Sequence, residues 1–540
     1  MDSVDRWAIL QTMGRISRRT FAETVALGAG ALESMAQSVA PQARESYISA
    51  SPVNVGTDAQ LFVDQVLVRS STNVAFTLHP ARKHPGNPLV VADRPWEGWR
   101  LEIFGSVIYD AAEKLYKMWY IAEPLGAFGP ARKGPSADNP TCYATSQDGV
   151  HWEKPLVGLQ SNQGEKTNAL LYATHLASVT KDLQEPDARR RYKMTCYVHE
   201  PAEVRGYNSM VSPDGLHWTL RSQASRICPG ADVITSYYDK RRKLWVALGK
   251  IGTQIRGHNR RVFYAITSSD FENWSAPELA IFPDLQDDAG SLARIEQVRP
   301  MLDVPDNPAE MRTEFYGSGF YPAESCTLAL PWVFTINNKA RYGNQEGPFE
   351  LQLAVTRDLK NWQRPFRVPC VPRGDPDDWE CGIQQTASCA IRVGDEVWLY
   401  YCGANYTHGT PVLYRERDPE RKRRFTSSIG LATWKLDRFV SADGAGPDAQ
   451  FCTVPLTFTG DVLELNAATK GSGSIRVEIL DAAGRPIAGL APSLPFRGDE
   501  LRARILWPEQ SSPARWKARP VSLRFQLDQA ELYSFAFRRA

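Results

Sequence analysis

The chain has 540 residues, of which 43% are hydrophobic, 10% aromatic and 23% charged. That is the make-up of a folded protein of about two to four domains, not of a disordered or fibrous chain. Its 63 basic and 61 acidic residues leave a formal charge of +2, so no basic footprint points to nucleic acid, and no apolar run is long enough for a membrane span.

In chain order, "RISRRTFAETVALGAGAL" from Arg15 comes first. Paired Arg18 and Arg19, Phe21 and a weakly apolar Gly/Ala stretch form the pattern of a twin-arginine export signal. Ser34-Met35-Ala36 offers a small-x-small cleavage site and Ser38-Val39-Ala40 a second; Glu23 interrupts the apolar stretch, so a plain amphipathic leader is the competing reading. The expectation is a leader and linker over residues 1–45 and a periplasmic or secreted protein. Nine cysteines without a C-x-x-C pair signal neither zinc nor a disulfide framework, and unpaired thiols fit a protein that folds before export.

"DAQLFVDQVLV" from Asp58 predicts an opening strand. Beyond it a unit recurs: an apolar, β-branched or aromatic run, then an Asp-containing turn, then Trp. The turns are "ATSQDGVHWEKP" from Ala144, "MVSPDGLHWTL" from Met210, "AITSSDFENWSAP" from Ala265, "AVTRDLKNWQRP" from Ala354 and a degenerate "IGLATWKLDRFVSA" from Ile429. Their tryptophans, Trp152, Trp218, Trp274, Trp362 and Trp434, are 66, 56, 88 and 72 residues apart, the spacing of propeller blades. Blades are expected at approximately 95–160, 165–225, 230–280, 310–368 and 380–440. The turns are read as structural: Asp bonds its own backbone, Gly149 and Gly215 supply positive φ, and His151 and His217 are turn or surface residues.

Residues 281–312 are rich in Asp, Pro and Arg and predict a long loop over one face of the ring, and the basic run "RERDPERKRRF" from Arg415 reads as a solvated loop. "SADGAGPDAQ" from Ser441 is a linker by composition, and period-two alternation after it predicts a C-terminal β-sandwich over 450–540. The fold class is therefore all-β: a five-bladed β-propeller over 58–440 followed by that sandwich.

Five blades and a sandwich resemble the five-bladed propeller glycoside hydrolases of the invertase, levansucrase and arabinanase kind. Three segments carry the resemblance: "EIFGSVIY" with Glu102 three before Gly105, "ADVITSYYD" with Asp232 seven before Asp239, and "YPAESCTLAL" with Glu324 before Ser325 and Cys326. Here Glu stands for the family's Asp at the first, Arg and Pro are absent around the second, and Cys is displaced by one at the third. The resemblance implies Glu102 as nucleophile or base, Glu324 as general acid and Asp232 as the residue that orients the sugar. The chemistry has its own logic, because inner strands of all blades converge and glycoside hydrolysis needs one protonated and one ionised carboxyl group.

Asp182 and Glu380 are further acids read as opening blades two and five, Glu380 with its own Glu-Cys pair. Trp96, Trp99 and Trp379 flank candidate acids and offer flat platforms for sugar rings, while His408 lies in a loop where it could bond a hydroxyl. For each of these residues a turn, packing or surface role competes. No cofactor is demanded, although inward carbonyls and acids can hold a calcium or sodium ion on the axis. The expected partner is a carbohydrate substrate. Competing functions are a glycosyl-transferring or phosphorolytic enzyme, which would need clustered Arg, Lys or His at the funnel, and a non-catalytic carbohydrate-binding propeller. A sialidase is a fourth, but its Asp-box turns differ in spacing to the Trp and six blades would be expected.

Overall fold

The computed structural model describes residues 51–540 apart from 124–138, 163, 173, 200–201, 221–226, 229, 231, 303, 341–343, 377, 410–424 and 509–510. The expected leader and most of the basic run from Arg415 lie outside the described residues.

The chain is mostly β. Five antiparallel meanders each begin with an innermost strand: β1 (Arg100–Asp110), β2 (Thr174–Lys181), β3 (Ile234–Asp239), β4 (Arg312–Pro322) and β5 (Ile383–Thr386). β1 touches β2, β2 touches β3, β3 touches β4, β4 touches β5, and β5 returns to β1. The five innermost strands thus form a closed circle of contacts. The last meander gains its edge from the other end of the chain, where Arg82–Lys83 pairs with Ala432 and Thr433.

Four innermost strands carry one buried serine each, Ser106, Ser178, Ser236 and Ser318, and a fifth, Ser388, is buried two residues past the end of β5. Ser106 accepts from the Val179 amide at 2.7 Å and bonds Ser388, while Ser178 accepts from the Ser236 amide at 2.8 Å. These hydroxyls tie neighbouring strands where no backbone ladder joins them, satisfying polar groups that would otherwise be buried unpaired.

The repeated turns have one geometry. Asp148, Asp214, Asp270 and Asp358 each accept two amides, from the residues two and three ahead, and bond the side chain three ahead: His151, His217, Asn273 or Asn361. The residue after the Asp has positive φ in all four: Gly149 (78°), Gly215 (81°), Phe271 (64°) and Leu359 (68°). A Cβ on Gly149 would come within 2.7 Å of Trp398 and Tyr400, so glycine is required there. Trp152, Trp218, Trp274 and Trp362 pack into the apolar clusters beneath, whereas Trp434 lies within the strand Ser427–Lys435 and donates to the His79 carbonyl. The degenerate fifth copy is therefore a strand residue and not a turn.

Ten strands, six of them beyond residue 439, form one hydrogen-bonded sheet built on the long pair β6 (Val462–Asp481) and β7 (Val521–Arg538). Four of the ten come from the N-terminal side, Val53–Gly56, Gln60–Leu61, Val68–Thr72 and Val74–Leu78. The segment from Asp58 thus pairs into this sheet and not into a meander. "SADGAGPDAQ" is also strand in part, because Val440–Gly444 pairs on both sides. Residues 281–312 contain the short helices Leu285–Ala289 and Ser291–Glu296, pinned by Arg364 and Arg367 on the buried Asp287. All nine cysteines are free thiols.

Candidate active site

Aligned on their serines, the five innermost strands place Glu102, Thr174, Asp232, Glu314 and Gln384 at the same step, four residues earlier. Register shifts between Glu102 and Ser106, His175 and Ser178, and Phe315 and Ser318 re-aim the side chains at this level. Gly105 is obligatory in the first, since a Cβ would meet the Trp119 carbonyl oxygen at 1.9 Å.

Asp232 is the most open acid of this end. Lys250 pairs with one of its oxygens and the Tyr316 hydroxyl donates to the other at 3.0 Å. Lys250 Nζ also stands 3.6 Å from the Tyr316 ring centroid. Burial pushes the Asp232 carboxyl up, but Lys250, His175 and Tyr316 outweigh it and hold the group below the usual range. Burial takes the Lys250 ammonium down to about 8 against the pull of Asp232. The Asp232 side chain is nonetheless 27% exposed while Lys250 is 4% exposed. The carboxylate is thus largely desolvated yet still part-exposed.

Glu102 is paired with Arg100 and is 6% exposed. Tyr316 senses both acids: after burial, the charges of Asp232 and Glu102 push its hydroxyl up. Glu314, which no motif had suggested, is buried and receives Arg261 at 2.5 Å and Arg312 at 2.7 Å, fixing the Arg261 guanidinium 5.3 Å from the Tyr316 ring. His175 lies 3.1 Å from His199 and 3.0 Å from Asn139, and burial followed by the His199 charge takes it down to about 4. Both His175 and His408 are neutral near pH 7, burial holding His408 at about 3. This end of the strands thus brings together Asp232, Glu102 and Glu314, the cations Lys250, Arg100, Arg261 and Arg312, and the neutral imidazole of His175.

Other expected residues lie elsewhere. Glu324 follows the far end of β4, eight residues from Tyr316 or about 25 Å of extended chain. It accepts from the Ala59 amide at 2.7 Å and from Arg538 at 2.9 Å; burial raises its carboxyl, and those two partners bring it below its usual value. That is a junction with the C-terminal sheet and the wrong state for a proton donor. Asp182 likewise follows the end of β2 and pairs with Lys193 at 2.6 Å. Trp96 is buried and donates to Asn168 at 2.7 Å, so its face is core. Trp99 packs on Tyr406 and Phe425 beside Arg100, and Trp379 packs on Tyr401. Glu380 is held by Lys83 at 2.5 Å and Gln384 at 3.0 Å. His408 is half-buried behind Tyr316, its Nδ1 2.8 Å from the Gln345 carbonyl oxygen. Among the described residues no group of three or more His, Cys, Asp or Glu is placed to hold a metal, and no helix is long and apolar enough to cross a membrane.

No family model and no curated protein matches the chain. Solved structures similar to it include a β-1,2-mannobiose phosphorylase from Listeria innocua, 11% identical over 68% of this chain and 98% of its own, with a TM-score of 0.41. A glycosyl hydrolase from Bacteroides ovatus is 12% identical over 66% and 94%, with a TM-score of 0.40. An exo-β-1,3-galactanase from Phanerochaete chrysosporium is 9% identical over 80% and 94%, with a TM-score of 0.34. The neighbours include glycoside hydrolases, the class that the sequence resembles.

Proposed function

We propose that the meanders are the blades of a five-bladed β-propeller, that the C-terminal sheet folds as a β-sandwich, and that the chain is a glycoside hydrolase working through Asp232 and Glu102. The observation that carries this reading is Asp232 itself: a reachable carboxylate, held ionised by Lys250 and Tyr316, beside a phenol that also senses Glu102. Hydrolysis of a glycoside needs one ionised group to attack the anomeric carbon or activate water, and a second group to deliver a proton to the leaving oxygen. Asp232 takes the first role and Glu102 the second, which requires Arg100 to release Glu102 when substrate binds, with Glu314 and Lys250 as positioning residues.

Water is favoured over phosphate as the acceptor. A phosphorylase needs cations with charge to spare, whereas Arg100, Lys250 and Arg261 each hold a carboxylate. The test is release of reducing sugar from a panel of glycosides, with and without inorganic phosphate. Asp232→Asn is expected to lower release from natural and activated aryl glycosides alike by about 10²- to 10⁴-fold, and Glu102→Gln to spare the activated ones; turnover that requires phosphate would replace hydrolysis by phosphorolysis. The leader adds a second proposal, export of the folded chain. Replacing Arg18 and Arg19 by Lys is expected to retain the precursor in the cytoplasm, and mature protein outside it would refute the signal.

A further inference from the structure

The chain crosses from the last meander to the C-terminal sheet through residues 436–439, between the strands Ser427–Lys435 and Val440–Gly444. Asp437 stands in this crossing with left-handed backbone, φ 61°. It lines a crevice of about 40 Å³ together with Glu324 and Arg392 from the meanders and Glu464, Arg502 and Arg538 from the sheet. That is the size of a water or two, far below small-ligand sites of about 300–1,000 Å³. A proton is the ligand that fits.

Asp437 is 9% exposed, and no described residue gives it a hydrogen bond or an ion pair. The arginines around it are committed elsewhere. Arg538 holds Glu324 at 2.9 Å and the Thr57 carbonyl at 2.7 Å, Arg502 holds Asp395, and Arg392 donates to the Gly394 carbonyl at 3.1 Å. A buried carboxyl without a donor resists ionisation. Burial, then the Glu324 charge, push Asp437 up to about 6 against the pull of Arg392, Arg538 and Arg502. Asp58, on the N-terminal segment, is raised by the same two causes against Arg241 and Arg538. Of the other groups here, Glu464 faces Arg538 at 3.7 Å, and burial keeps the Tyr321 hydroxyl and the Cys326 thiol protonated. Burial raises Glu324 too, but Arg538 and the Ala59 amide bring it below its usual value. Glu324 is the clasp of the junction, since it ties Arg538 of β7 and the Ala59 amide to the end of β4. An ionised Asp437 repels that clasp and competes for Arg538.

We infer that Asp437 is a proton-operated latch on the junction between the ring and the C-terminal sheet: neutral, it lets the Glu324 clasp close, and ionised, it loosens it. The inference is independent of what the ring cleaves. Opening the junction would return Asp437 to the ordinary aspartate range, so the closed form is fully favoured below that range. It weakens as pH rises and is released above about 6. The test is hydrogen–deuterium exchange of the full chain, read as protection of the Ala59 amide relative to its intrinsic rate at each pH. Between pH 5 and pH 7.5 protection is expected to fall about 10-fold in the native protein. Asp437→Asn keeps a side chain that tolerates left-handed backbone and should lose most of that fall. Thermal melts supply a second reading: the variant should melt above the native protein at pH 7.5, and the gap should narrow toward pH 4. An equal fall in both proteins, protection that rises with pH, or a variant that melts lower at pH 7.5 would overturn the latch.

Discussion

The outer turns and the interior use the same carboxylate in opposite ways. Asp148, Asp214, Asp270 and Asp358 take their ladder-like bonds from amides and side chains within three residues. Asp232 is satisfied from a distance by Lys250 and Tyr316, and Glu314 and Asp287 add the distant Arg261 and the pair Arg364 and Arg367 to their local partners Arg312 and the Asp284 amide. A carboxylate satisfied locally is complete wherever its short sequence occurs, and so can be copied four times. One satisfied at a distance exists only in the folded ring, and its loss strands a charge elsewhere.

The sharpest way to break this contrast is Asp232→Asn against Asp148→Asn. The first is expected to lower glycoside cleavage by about 10²- to 10⁴-fold, the second to leave it unchanged, both read as kcat/KM at constant folded content. Next comes Arg364→Ala. Asp287 is buried and would keep only Arg367 and the Asp284 amide, so urea unfolding should show a loss of about 3–5 kcal/mol, the usual cost of removing one partner of a buried pair.

Lys250→Met separates charge from shape. Native activity should fall as pH rises through about 8, where Lys250 loses its proton and Asp232 its counter-ion. The variant should lack that limb. Its acid limb should move to higher pH, because Lys250 lowers the Asp232 carboxyl and removing it lets burial raise the group again. The smallest effect belongs to the turns: Asp148→Ala should cost about 1 kcal/mol, the net worth of a few exposed hydrogen bonds. At the sister turn, burial raises Asp214 but the His217 amide and ring win, bringing it down to about 2. Its stabilisation is therefore present above the ordinary aspartate range and fades as pH falls toward 2, a trend that thermal melts in acid should follow.

The same contrast decides what sequence can reveal. The turns were legible because Ser, Asp, Gly and Trp lie within a few residues of their partners, and the strands because apolar and β-branched runs mark them. Glu324 misled because Glu-Ser-Cys resembles a family signature, while the true inner strand, "RTEFYGSGFYP", opens twelve residues earlier at Arg312. The centred serine was the usable signal, since counting four back from it finds Glu102, Asp232 and Glu314 together. No local pattern announces that Lys250 meets Asp232, or that Trp96 turns inward to Asn168; strand pairing and packing bring them there. The C-terminal region was read correctly as alternating strand, but its N-terminal members were not, because pairing between chain ends leaves no mark in either one.

That pairing has a consequence for biosynthesis. Val53–Gly56 waits for Leu456–Phe458, Gln60–Leu61 for Ser534 and Phe535, and Arg82–Lys83 for Ala432 and Thr433. These strands therefore have no partner in these sheets until residues 432–535 have been made. A nascent chain stalled in its final hundred residues would carry open strand edges at both the last meander and the terminal sheet, the kind of surface that recruits chaperones or other nascent chains.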